Sequence, residues 1–199
     1  MTAQSYPVSA VEPHPIRLVV TDDLRRIRLT VALRLVLALP HVLWLFLWGI
    51  TVPFAAVANW VATLATGRSP QSLHAFLARY LRYLTHVNAY LSLTADPFPG
   101  FAGRPGTYPV DLEVGPPEDQ GRWAVAFRLL LAIPALLILN ALQGVIHVVA
   151  FLGWFYALAT GRMSSGLRDV NVFCLRYQAQ AVAYVALLTS RYPSLSGVV

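Results

Sequence analysis

The sequence predicts an all-α membrane protein of two pseudo-symmetric repeats, each a transmembrane helical hairpin followed by an amphipathic interfacial helix, with short surface β segments. Three observations carry this reading. The second half of the chain repeats the first at an offset of 94, without a gap from Pro15/Pro109 through Trp60/Trp154, Arg82/Arg176 and Tyr90/Tyr184 to Pro99/Pro193. Each copy holds a long apolar run with a single charge, Arg34 within Leu29 to Thr66 and Arg128 within Trp123 to Thr160. The composition, 57% apolar and 12% charged with a mean hydropathy of +0.57, suits a chain whose solvent is lipid. A period this long lies outside solenoids and propellers and marks two copies of a small module.

Taken in order, Met1 to Pro15 lacks a charged segment followed by an apolar one, so no cleavable signal peptide is expected. Residues 1–14 are read as a disordered N-terminus, and neither end carries a lipidation pattern. Repeat 1 spans 15–99. It opens on Pro15-Ile16-Arg17-Leu18-Val19-Val20, whose alternation suits a surface strand or an extended linker.

The apolar run follows, over about 29–66. As one helix its roughly 38 residues would extend about 57 Å, against a hydrocarbon core of about 30 Å. Two short helices in a hairpin, reversing near Gly49 to Pro53, fit that thickness better. Thr66-Gly67-Arg68 ends the run, with Gly67 in helix C-cap position. From about 71 to 95, Leu73, Phe76, Leu77, Tyr80, Leu81 and Leu84 keep helical spacing, while Arg79, Arg82 and His86 share another face. An arginine costs a few kcal/mol at mid-bilayer, so this helix is expected to lie in the interface.

Residues 100–108 link the units, and repeat 2, over 109–193, follows the same plan. Pro109-Val110-Asp111-Leu112-Glu113-Val114 is the strand, about 123–160 the hairpin reversing near Asn140 to Gly144, and about 165–190 the amphipathic helix. Residues 194–199 are a C-terminal tail. Arginines flank the hairpin bases and no charge occurs at the tips. The positive-inside rule therefore predicts a multi-pass protein with both termini cytoplasmic and the repeats parallel about an axis along the membrane normal.

Catalysis has little to stand on. The five histidines, His14, His41, His74, His86 and His147, show no ligand spacing with Cys, Asp or Glu. There is no paired carboxylate in the apolar runs, no nucleophile elbow and no phosphate loop. Cys174 is the only cysteine and sits in a helical pattern as a small hydrophobe. The sequence therefore predicts a non-enzymatic protein with no cofactor and no metal.

All fifteen basic residues are arginine, giving a formal charge of +6, but no recognition helix or basic aromatic sheet points to nucleic acid. What repeats is arginine beside aromatics, and Arg34, Arg68, Arg82, Arg128, Arg162 and Arg176 are the candidate lipid- or phosphate-binding residues. The competing reading is snorkelling and topology determination. Trp44, Trp48, Trp60, Trp123 and Trp154 are read as interface anchors. The expected partners are the bilayer, anionic headgroups and a cytoplasmic or membrane protein. The expected role is a scaffold or adaptor with an arginine-rich cytoplasmic face; the alternative is a small-molecule or lipid transporter with its site between the repeats and Asn59 in its pathway.

The second copy shows Tyr108-Pro109-Val110 before the strand, Arg128-Leu129-Leu130-Leu131-Ala132-Ile133-Pro134 opening the apolar run and Thr160-Gly161-Arg162 ending it. It closes on Ala183-Tyr184 and Leu187-Leu188-Thr189-Ser190-Arg191-Tyr192-Pro193. This pattern resembles a bacterial membrane family known as domain of unknown function 4389, in two tandem copies. The first copy departs from it at Ala95-Asp96-Pro97-Phe98-Pro99. The resemblance implies a small integral protein of the bacterial inner membrane and carries no catalytic residues.

Overall fold

A computed structural model describes residues 14–195; the expected N-terminus and tail lie, but for residues 14, 194 and 195, outside the described residues. Strand β1 (Ile16–Val20) leads into helix α1 (Arg28–Thr66) and helix α2 (Gln71–Leu91). Strand β2 (Val110–Val114), a short helix α3 (Arg122–Ala126), helix α4 (Arg128–Thr160) and helix α5 (Ser165–Val185) complete the second copy. Both alternating segments are strands.

Neither apolar run reverses, which corrects the hairpins expected over 29–66 and 123–160. α1 is one helix of 39 residues and α4 one of 33, about 58 and 50 Å long. Gly49 and Gly144, read as turn residues, face open space with nothing within 4 Å of an added Cβ, so they sit in the helices without shaping a bend. Pro40 and Pro53 lie inside α1, where each removes one backbone donor and the chain continues. Packing keeps α1 extended. Arg34 lies against Tyr90, His41 against Tyr83 and Trp48 against Phe76, so each step of seven along α1 is matched by seven back along α2.

The covered positions of α1, among them Val31, Arg34, Ala38 and His41, recur at three and four like a coiled-coil seam, while the rest of the circumference is exposed and apolar. Spin labels at the exposed Leu39 and Val61 are expected about 33 Å apart along one helix, against about 10 Å across a hairpin. Double electron–electron resonance distinguishes the two.

The true antiparallel pairs are α1 with α2 and α4 with α5, turned at the repeated Thr-Gly-Arg. Gly67 and Gly161 take left-handed φ of 81° and 73° and donate their N–H groups to Thr63 O and Ala157 O. α2 and α5, expected as amphipathic interfacial helices, are packed within the chain over much of their surface. Ten residues of α2 and nine of α5 are buried, because α2 packs against α1, α5 and β2, and its polar side turns under the sheet and the 103–106 loop.

The repeats meet about a pseudo-two-fold axis. β1 and β2 pair antiparallel with Leu18 facing its own counterpart Leu112, and Ile16↔Val114 and Val20↔Val110 exchanging under the repeat. Trp154 donates its indole N–H to Val31 O at 3.0 Å, and the equivalent Trp60 donates to Val125 O at 3.0 Å. Arg26 N to Gly161 O is likewise mirrored by Gln120 N to Gly67 O. α1 and α4 thus run antiparallel, which replaces the parallel repeats expected from charge. Contacts run in order from the sheet to α2 and α5, and from these to α1 and α4. α1 and α4 are long and apolar enough to cross a membrane.

Candidate functional site

The six repeated arginines do not converge. Arg162 bridges by its backbone to Arg25 at one end of the long helices, and Arg68 bridges to Asp119 at the other. Both are exposed, and Arg68 also donates to Pro117 O at 2.9 Å.

Arg34 and Arg128 are each 2% exposed and face inward. Arg34 donates to Tyr90 O and Ala95 O, pairs with Asp96 at 2.7 Å, and stacks 4.4 Å over the Tyr90 ring. Arg128 donates to Gln120 Oε1 and lies 4.1 Å over the equivalent Tyr184 ring. Tyr90 and Tyr184 stand at the ends of α2 and α5, where helices leave carbonyls without partners, and Leu93 and Leu187 follow with left-handed φ of 59° and 60°. The Arg34 guanidinium binds carbonyls there directly and complements the negative helix end, while Arg128 reaches its end through Gln120, whose amide donates to Leu187 O. These two arginines close each repeat.

Arg82 sits between helix and sheet, donating to Leu112 O at 2.8 Å and Gly103 O at 3.3 Å, with Asp111 Oδ1 at 3.6 Å. Its counterpart Arg176 stacks 5.5 Å over Phe173 instead.

Two polar clusters were not singled out from sequence. At the first, His86 Nε2 donates to Asp111 Oδ1 at 2.8 Å, and Asp111 also accepts from the Gly106 and Leu112 N–H groups. Burial pushes this carboxyl up, but the hydrogen bonds from His86, Gly106 and Leu112 outweigh it and hold it below the usual carboxylate range. Part of the signal was available, since His86 follows Arg82 by one turn, but alternation sets Asp111 on the same strand face as the exposed Glu113, opposite Val110, Leu112 and Val114, and so hid its burial. At the second, the buried Arg26 pairs with Asp22 at 2.6 Å and donates to Leu93 O and Thr94 O. Only the spacing of Arg26 from Asp22 hinted at it.

Several further polar side chains find partners in the chain, whereas Thr63 Oγ1 and two of the Arg176 nitrogens are buried without a hydrogen bond. His41 bonds Tyr83 Oη at 2.7 Å and stacks with Phe98 and Phe101, and His74 Nε2 donates to Leu188 O at 3.3 Å. Asn59 donates to Ala186 O and accepts from Ser69 Oγ at 2.6 Å. Of the tryptophans, Trp44 donates to Phe101 O and Trp48 stacks with Phe76, while Trp123 stays 80% exposed.

The family described as Domain of unknown function (DUF4389) matches twice, over 28–102 and 122–196. The chain belongs to this family. The two matches fall on the α1–α2 and α3–α5 copies, so each covers one long apolar helix of this chain with its antiparallel partner. No curated protein and no solved structure matches the chain.

Proposed function

We propose that this tandem DUF4389 protein is a non-enzymatic membrane scaffold whose two long helices lie in the plane of one leaflet and whose sheet faces water. The supporting observation is the height of the sheet relative to the helices. A single pseudo-two-fold axis passes between Leu18 and Leu112, and the same axis runs between α1 and α4 midway between their Trp–carbonyl contacts. With upright helices, the sheet and its exposed Arg17–Glu113 pair, at 57% and 53% side-chain exposure, would sit at mid-bilayer depth. Charges there cost at least about 2.5–3.5 kcal/mol each.

Lying flat avoids that cost. It also accounts for helix lengths well beyond a hydrocarbon core of about 30 Å. The faces turned from the seam then enter the acyl chains: Leu35, Leu39, Phe46 and Phe54 of α1, and Leu137, Val148 and Phe151 of α4, all more than half exposed. The excess of arginine favours the anionic cytoplasmic leaflet. The sheet and the outer flanks of α2 and α5 form the face offered to a protein partner.

One-sided labelling tests this arrangement. In a Cys174→Ala background, single cysteines replace Ile27, Ala65, Gly121 and Ala159, exposed positions at the four ends of the long helices. Helices in the plane place all four on the same side of intact membrane for an impermeant maleimide. Upright helices would give Ile27 and Ala159 on one side and Ala65 and Gly121 on the other, and that pattern overturns the proposal.

A further inference from the structure

The first half of α2, the 103–105 loop and residues 114–117 enclose an open groove of about 350 Å³. Arg79, Arg82 and Arg104 line it together with Gln71 and His74, and no carboxylate is among its lining residues. The acids beside it are engaged elsewhere: Asp111 by His86, Gly106 and Leu112, with Arg82 Nε 3.6 Å away, Glu118 by Thr189 and Ser190, and Glu113 by Arg17. Among the described residues no carboxylate pairs with Arg79 or Arg104. Three guanidinium groups thus share one concavity whose neighbouring carboxylates already have partners of their own.

The fold holds them together. Gly103 has a left-handed φ of 54°, and a Cβ there would lie 2.4 Å from Arg79 O and 3.1 Å from Tyr83 Cβ, so only glycine lets the loop rest on the helix. That close approach sets Arg104 beside Arg79. Nothing in the repeated architecture requires the cluster: at the equivalent positions the second copy has Phe173 for Arg79 and Val198 for Arg104. Where two halves share a fold, a charged groove found in one of them needs another reason.

We infer that this groove binds a phosphate-bearing anion, a phosphomonoester or diphosphate gripped by the Arg79 and Arg104 forks, with Arg82 completing the positive floor. Arginine suits this because its planar fork meets two phosphate oxygens at once. The inference goes beyond the membrane arrangement and stands whichever way the long helices lie. Two sources offer the same chemistry, a lipid headgroup or a soluble phosphate compound.

The test uses the full chain in non-ionic detergent, titrated with inorganic pyrophosphate by calorimetry. Saturable binding is expected, weakened about tenfold or more in Arg79→Gln/Arg104→Gln with the thermal unfolding unchanged, and largely kept in Arg79→Lys/Arg104→Lys. Arg25→Gln/Arg122→Gln removes the same charge at the two ends of the molecule and should bind as wild type. Flotation with phosphatidylcholine vesicles, with and without phosphatidic acid, then assigns the source. A phosphatidic-acid dependence lost in the Arg79/Arg104 variant means a headgroup; pyrophosphate binding without such dependence means a soluble ligand. Absence of both, or an equal loss in Arg25→Gln/Arg122→Gln, overturns the inference.

Discussion

Replacing Arg34 with methionine is expected to destabilise the protein by about 3–5 kcal/mol, the range for removing one partner of a buried ion pair. The side chain is 2% exposed and serves the carbonyls of Tyr90 and Ala95, the Asp96 carboxylate and the Tyr90 ring. Methionine fills most of the volume but donates nothing, so two carbonyls and a largely covered carboxylate lose their partner together. Arg25→Met, at an exposed position, should stay within about 0.5 kcal/mol. Adding Asp96→Asn to Arg34→Met should recover part of the loss, because the uncompensated charge goes with it. Thermal unfolding followed by circular dichroism measures all four proteins. Equal melting of wild type and Arg34→Met would show that the end of α2 is held by something else.

Asp111→Ala is expected to cost about 3 kcal/mol, since it strips an acceptor from His86 and from two backbone N–H groups beneath the sheet. The same residue gives stability a pH dependence whose sign follows from its lowered pKa. The unfolded chain takes up the proton at an ordinary carboxylate pKa near about 3.9, before the folded one does. The stabilisation is therefore complete above that value and is lost as the pH falls through the lower folded pKa. Glu118 behaves alike: burial raises it, but hydrogen bonds from Ser190 and Thr189 bring it below its usual range. Wild-type stability should fall below about pH 4. The fall should be shallower in Asp111→Asn and shallower still with Glu118→Gln added. An unchanged acid slope in the double variant would refute the assignment.

The duplication was legible in the sequence because it is written in identities such as Arg34/Arg128 and Thr-Gly-Arg, and so were the strands, whose alternation survives in both copies. The continuous helices were not. The hairpins followed from comparing a 57 Å helix with the bilayer thickness, a comparison that holds only if the helix stands upright. The seam of α1 was hidden for a related reason. Its covered positions include Arg34, His41 and Asn59 while its exposed ones are leucine and phenylalanine, so polarity runs opposite to burial.

The same inversion governs α2, where Arg82 and His86 turn beneath a sheet whose second strand comes from the other repeat. A repeat announces that two units exist and is silent on which surfaces they present to each other. The six arginines were recognisable as a set because they recur. Recurrence selected the residues the fold needs twice, and Arg34 and Arg128 are of that kind. Arg79 and Arg104, which occur once, fell outside the search for that reason.

The strand pairing across the axis is self-complementary: the edge offered by Ile16–Val20 is met by the equivalent edge of Val110–Val114. Two separate copies of one unit would have to find each other by mass action, and their fold would depend on concentration. Joined through residues 92–109, the two edges are held at a high effective concentration, so the shared sheet forms within one molecule whatever its abundance. The tether also releases the halves from having to be identical. His41 can stand where the other half has Ala135, and Asp111 where it has Arg17, a division of labour closed to an association of equal subunits.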